Sequence, residues 1–148
     1  MYSSEKQSAL AEYLQGFKWD AYYTATFAVQ QRYSGTAISK VIERLTVGSR
    51  WKPEKIFCCA EQHYLGGWHC HGLLEFPGGI HDWANSVHLD LLGLAGKDLS
   101  ELGFNLVEGL LNLPAAAQYC AKYLTKGENS GDWRMIGRKS HWHPALDK

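Results

Sequence analysis

Two hydrophobic periods run along this chain. Residues 4–16 carry Ala9, Leu10, Tyr13 and Leu14 on one helical side and stop at Gly16, which predicts a short amphipathic helix. Residues 21–29, A-Y-Y-T-A-T-F-A-V, are β-branched and aromatic and predict a first strand. After a break at Ser34-Gly35, residues 36–45 return to helical spacing and predict a second helix ending near Gly48. Residues 55–62 and 68–76 read as strands joined by a turn at Leu65-Gly66-Gly67, a β-hairpin. A helix over 81–95, a fourth strand from Gly103 to Leu111 and a helix from Pro114 to the stop at Gly127 complete the pattern. The last twenty residues, with Gly131, Gly137 and Pro144, predict no element, and there is no internal repeat, low-complexity tract or obvious linker.

A length of 148 residues fits one domain, residues 1–148, and suffices for a core without disulfides or structural metal. An apolar share of 45%, with six Trp, eight Tyr and five Phe, is a globular composition rather than a disordered one. No apolar run reaches membrane-spanning length and the first residues lack signal-peptide order, so the expectation is a soluble, cytoplasmic protein with no membrane partner. Cys58, Cys59, Cys70 and Cys120 have no C-x-x-C spacing and read as reduced, buried small residues. Net charge is zero but unevenly spread: eight basic and six acidic side chains in 1–74, one and six in 75–121, six and three in 122–148. A neutral chain can therefore hold a basic surface, here from Arg44, Arg50, Lys52, Lys122, Lys126, Arg134, Arg138 and Lys139.

Chemistry enters at W-H-C-H-G-L-L-E-F, residues 68–76. In an extended chain His69 and His71 point to one face while Trp68, Cys70 and Gly72 point to the other. Two imidazoles on one face are half of a metal site, and the partner strand of the hairpin offers Glu61, eight residues before His69. Two imidazoles and a carboxylate with open positions suit a divalent ion such as Mn²⁺ or Mg²⁺ that also holds a substrate oxygen. His63, nearer the turn, is a weaker candidate for the same role. An isolated H-x-H is more often a polar patch, and the second one, His141-Trp142-His143, has no carboxylate strand beside it and reads as structural.

The stretch Q-Y-C-A-K-Y-L-T-K, 118–126, shifts that balance. On a helix Tyr119 and Tyr123 share a face, Lys122 is adjacent to it and Lys126 lies one turn beyond Lys122. A phenol with a pKa near ~10 is a poor nucleophile at neutral pH unless a cation or metal stabilises the phenolate. The tail residues Trp133, Arg134, Arg138, Lys139 and Trp142, basic and aromatic, suit a nucleic-acid strand or hairpin stem. No G-x-x-x-x-G-K-[ST] occurs, so no ATP-driven helicase domain is expected within these residues.

Taken in order, three motifs resemble those of the HUH endonucleases, the rolling-circle replication initiators of small single-stranded DNA viruses, phages and plasmids and their transposase relatives. Tyr22-Tyr23-Thr24-Ala25-Thr26-Phe27 is similar to the family's opening hydrophobic-Thr strand. His69-Cys70-His71 with Glu61 upstream is similar to its metal motif. Tyr119-Cys120-Ala121-Lys122, extended to Tyr123 and Lys126, is similar to the Y-x-x-K-Y-x-x-K of two-tyrosine phage initiators. The resemblance covers residues 22–126 and implies an α+β fold, a central antiparallel sheet of about five strands flanked by helices in the manner of an RRM-like palm, with the histidines on a middle strand and the tyrosine helix packed across the sheet's edge. It implies Glu61, His69 and His71 as metal ligands, Tyr119 as primary nucleophile with Tyr123 for a second cut, Lys122 as a phosphate-orienting cation, and Lys126, Trp133, Arg134, Arg138, Lys139 and Trp142 in DNA binding. The implied activity is metal-dependent nicking and joining of a single-stranded DNA origin or hairpin through a 5′-phosphotyrosine link, alongside a separate helicase and a host polymerase. Two alternatives stay open: a one-tyrosine HUH transposase, and a non-catalytic single-stranded nucleic-acid-binding module in which Tyr22, Phe27 and Trp68 stack bases. A zinc-stabilised domain using Cys70 and His63 is a third.

Overall fold

A computed structural model of the chain describes residues 2–47, 49, 51–62, 66–77, 86–124 and 132–137. The elements are α1 (Tyr2–Gln15), β1 (Ala21–Ala25), α2 (Ser34–Thr46), β2 (Lys55–Gln62), β3 (Trp68–Glu75), α3 (Ser86–Ser100), β4 (Asn105–Gly109), α4 (Leu113–Leu124) and β5 (Trp133–Gly137). The strands form one antiparallel sheet in the order β4-β1-β3-β2-β5, an α+β fold with helices flanking a central sheet. From β1 to β4 the chain traces the β-α-β-β-α-β arrangement of ferredoxin-like folds, to which α1 is added before and α4 with β5 after.

Each helix lies where its apolar stripe can be buried. In α2, Ala37, Ile38, Val41, Ile42 and Leu45 pack on the face of the sheet formed by Ala21, Tyr23, Ala25, Ile56, Cys58, Ala60, Cys70 and Leu74. α3 covers the same face through Leu91, Ala95 and Leu99, an i, i+4, i+8 stripe that carries the helix through Gly93 and Gly96 to Ser100, five residues past the expected end at 95. Residues 81–85 of that expected helix lie outside the described residues. The opposite face bears Phe57, Cys59, Leu73 and Met135, and these meet Ala11 and Leu14 of α1 and Ala117, Cys120 and Ala121 of α4. The tyrosine helix therefore rests on a face of the sheet, against β2 and β3, and not across its edge. An edge would leave the Ala117, Cys120 and Ala121 stripe unburied.

β1 is shorter than the expected 21–29: beyond Ala25 the chain follows the segment before β4, with Thr26 N–H bonded to Phe104 C=O and Ala28 N–H to Leu102 C=O. The fourth strand contracts likewise to Asn105–Gly109. β5 arises in the tail for which no element was expected, because β2 has a free side on which Met135 pairs with Phe57 and Trp133 with Cys59.

Gly72 in β3 faces Tyr23 across the sheet, and the Tyr23 hydroxyl donates to Phe57 C=O at 2.9 Å. A Cβ at position 72 would come within 1.9 Å of that carbonyl oxygen and 2.3 Å of the hydroxyl. Gly72→Ala is expected to cost about 3 kcal/mol, which differential scanning calorimetry would register as a fall in Tm of roughly 10 °C. An unchanged Tm would mean that the Tyr23 ring does not fill this space.

Candidate metal centre

The hairpin pairs β2 with β3 so that Glu61 lies opposite His69 and Cys59 opposite His71. Alternation then puts Glu61, His69 and His71 on the face shared with α1 and α4, toward the end of the sheet beyond the packed Phe57 and Leu73. Both imidazoles converge on one carboxylate oxygen: His69 Nε2 lies 2.7 Å and His71 Nε2 2.5 Å from Glu61 Oε1. His71 is buried, while Glu61 and His69 keep some exposure.

The donor set fits a divalent ion. One ligand atom from each of the three residues lies within 4.8 Å of the others. Around an ion with bonds of about 2.1 Å, neighbouring octahedral ligands stand about 3 Å apart, so an ion is admitted if the two imidazole-to-carboxylate contacts widen by a few tenths of an ångström. Burial disfavours the charged carboxylate of Glu61, but the hydrogen bonds and charge of His71, then of His69, outweigh it, and the group titrates below its ordinary value. Glu61 therefore presents an anion at neutral pH.

A residue that the sequence reading did not place at the metal site stands behind this triad. The Tyr22 hydroxyl is 3.0 Å from His71 Nδ1, with Thr24 Oγ1 at 3.5 Å from the same atom. When His71 Nε2 serves as a metal ligand, Nδ1 carries the proton and donates it to the Tyr22 oxygen, the arrangement that fixes a ligand's tautomer and ring orientation. Burial pushes the Tyr22 phenol far above its ordinary value, against a smaller opposing pull from Thr24, so it remains a neutral hydroxyl. Alternation along β1 puts Tyr22 and Thr24 on one face, but only the β1–β3 pairing, Thr24 opposite His71, shows which histidine they serve. Tyr22→Phe keeps the ring and removes the oxygen; it is expected to weaken Mn²⁺ binding about tenfold in isothermal titration calorimetry, with Tm held within a few degrees.

Tyr119 completes the group. α4 brings its ring to 5.1 Å from that of His71 and 6.0 Å from that of Tyr22, edge-on to both, and leaves it 39% exposed. Partly buried Tyr22 and accessible Tyr119 thus hold different positions around one histidine. Lys122, exposed and one turn further along α4, lines a polar groove of about 510 Å³ with Gln7, Glu12, Gln15 and Gln118, where the Gln7 amide donates to Lys122 C=O. The backbone of Tyr123 belongs to α4, and its side chain lies outside the described residues.

Trp133 and Arg134 fall on opposite faces of β5 rather than forming one surface. The Trp133 ring lies 5.7 Å from Phe57 on the face of the triad, whereas Arg134 shares the other face with Ile136. His63, Lys126, Arg138, Lys139, Trp142 and the His141–His143 pair lie outside the described residues. Cys70 cannot join the triad: it is fully buried on the opposite face, where the hydrogen bond with Cys58, followed by burial, raises its thiol well above the ordinary value. Among the described residues no helix is long and apolar enough to cross a membrane. Compared with protein families, curated proteins and solved structures, the chain matches none.

Proposed function

We propose that the chain is a metal-dependent endonuclease and strand transferase of single-stranded DNA, acting through Tyr119, and that its role is to start and end rolling-circle replication as HUH initiators do. The observation that carries the reading is the edge-on approach of the partly exposed Tyr119 ring to within 5.1 Å of His71, a member of the Glu61, His69 and His71 triad. A nucleophile and a polarising centre are then side by side.

Glu61, His69 and His71 would hold Mn²⁺ or Mg²⁺, which supplies Lewis-acid polarisation of a non-bridging phosphate oxygen. Tyr22 and Thr24 keep the His71 ring in place from behind. The Tyr119 oxygen forms a bond to phosphorus as the bond from phosphorus to the 3′-oxygen breaks; the phenol proton leaves to solvent and the 3′-oxygen takes one up. The products are a 5′-phosphotyrosine and a 3′-hydroxyl for a polymerase to extend, with no redox change and no ATP. Reversal with another 3′-hydroxyl joins strands. Lys122, on the next turn of α4, contributes positive charge to the phosphates on that side, and Tyr123 is the candidate for a second cut. Opening a duplex falls to a separate helicase.

The test is to incubate the protein with a random single-stranded DNA pool and Mn²⁺, with and without chelator, and to look for a nucleotide-bearing peptide by mass spectrometry. A chelator-sensitive adduct on Tyr119 is expected. Tight DNA binding with no adduct across a diverse pool would favour a non-catalytic binding module instead.

A further inference from the structure

β4 lies outside β1 in the sheet and sets Glu108 directly opposite Tyr22. Residues paired across neighbouring strands share a face, so Glu108 stands on the side of the sheet that also bears Tyr22 and His71. A cavity of about 420 Å³ opens on this side, walled by Tyr22, Glu108, Leu111, Asn112, Ala116 and Tyr119. The proposed nucleophile and an exposed carboxylate therefore line one space.

Other groups around Tyr119 are poorly placed to take a proton. Among the described residues that line the cavity, only Glu108 carries a carboxylate. Asn112 uses its side-chain oxygen to accept the Ala115 N–H at 3.0 Å, capping α4. Tyr22 stays a neutral phenol beside His71 Nδ1. Lys122 is an ammonium with protons to give and none to accept, and it lines the separate groove between α1 and α4. The two imidazoles and the carboxylate of the triad converge on one point and are committed to the ion.

Strand order separates the two carboxylates. Neighbouring strands stand about 4.8 Å apart, so two spacings, with β1 between, divide the backbone of β4 from that of the histidine strand β3. Glu108 is not one of the residues whose ligand atoms gather at the triad. Tyr119 bridges the gap: its ring lies 5.1 Å from His71 and 6.0 Å from Tyr22, and it forms a wall of the cavity that holds Glu108. An attacking phenol turns its oxygen to phosphorus and its proton away from it. With the phosphate at the triad, the proton side of Tyr119 faces the cavity, which gives the order carboxylate, phenol, phosphate.

On the proposed nuclease reading, we infer that Glu108 is the general base that takes the phenol proton of Tyr119. As the Tyr119 oxygen bonds to phosphorus and the bond from phosphorus to the 3′-oxygen breaks, the proton passes to a Glu108 carboxylate oxygen, directly or through one water, and from there to solvent. A phenol with a pKa near ~10 holds its proton against a carboxylate at rest. Bonding to phosphorus makes that oxygen far more acidic, and the transfer then runs downhill within the same step. In the joining direction the protonated carboxyl returns a proton to the departing Tyr119 oxygen, so one residue serves both nicking and joining.

The experiment follows the initial rate of adduct formation by the full chain with Mn²⁺ and the random single-stranded DNA pool. Glu108→Gln keeps the shape of the side chain and Glu108→Ala opens space beside Tyr119. Both are expected to lower the rate about 100-fold, the lower end of what a general base contributes, with Mn²⁺ affinity within about twofold and Tm within about 2 °C of wild type. Formate or acetate, added at constant ionic strength, is expected to raise the rate of Glu108→Ala at least about tenfold, acetate more than formate because it is the stronger base, and to leave wild type unchanged. A side chain needed only for packing is not replaced by a free carboxylate in this way. Rates within about threefold of wild type in both variants, or a loss that neither carboxylate repairs, overturn the assignment of Glu108 and leave the nuclease reading standing. No adduct from wild type overturns the nuclease reading and this inference with it.

Discussion

Tyr119→Phe is expected to lower formation of the covalent peptide–nucleotide adduct by about 10³-fold or more, the scale on which removal of a nucleophile acts. Mn²⁺ affinity should stay within twofold and Tm within about 2 °C of wild type. The separation of these readouts follows from the geometry. The contacts of the Tyr119 ring with His71 and Tyr22 are edge-on ring contacts that phenylalanine retains, and the ring is 39% exposed, so the hydroxyl is not what holds α4 on the sheet. That work is done by Ala117, Cys120 and Ala121 against Phe57 and Leu73. A Tyr119→Phe protein that binds metal and DNA normally but still forms a full yield of adduct would transfer the nucleophile's role elsewhere on the chain, with Tyr123 the first residue to replace.

The parts of this site that were legible in the sequence are the ones built from neighbours. His69 and His71 share a face because a strand has a period of two, and Glu61 joins them because a short hairpin folds residue 61 back onto residue 69. No long-range knowledge was needed. Tyr22 shows the opposite case: its contact with His71 spans 49 positions and depends on β1 pairing with β3 rather than with β2, a choice that neither strand's pattern announces. The same holds for β5, whose five residues become a strand because β2 offers a vacant side. It holds as well for the seat of α4. The helix was foreseen from Pro114 and the spacing of its apolar residues, but its place on the sheet face follows from where α1 and the Phe57, Leu73 and Met135 cluster leave room. The consequence for Lys122 is specific: helical spacing put it close to the tyrosine face, and the fold places it along the polar groove between α1 and α4.

Glu61→Gln is expected to weaken Mn²⁺ binding about 100-fold, roughly 2.7 kcal/mol, and to remove most of the rise in Tm that Mn²⁺ gives the wild type. Glu61 Oε1 is the atom on which both histidine nitrogens converge, and it is the anionic member of the triad. A neutral amide keeps the shape and loses the charge that offsets the ion's own. Because an ion that binds only the folded state stabilises it, Mn²⁺ at 100 times its Kd adds about 2.7 kcal/mol to the wild type, a shift of roughly 5–10 °C, while the same concentration sits near the variant's weakened Kd and adds about 0.4 kcal/mol. With chelator present a different consequence appears. The folded-state titration of Glu61 lies below its unfolded value, so its stabilising effect is complete above the ordinary carboxylate range and is lost as pH falls through the depressed folded value. Metal-free wild type should therefore lose Tm more steeply than metal-free Glu61→Gln as the solution is acidified from pH ~5. Calorimetric scans of both proteins, with Mn²⁺ and with chelator, read the two effects separately. Equal Mn²⁺ affinity in the variant would place the ion away from Glu61, and with it the reason for Tyr119 to react beside His71.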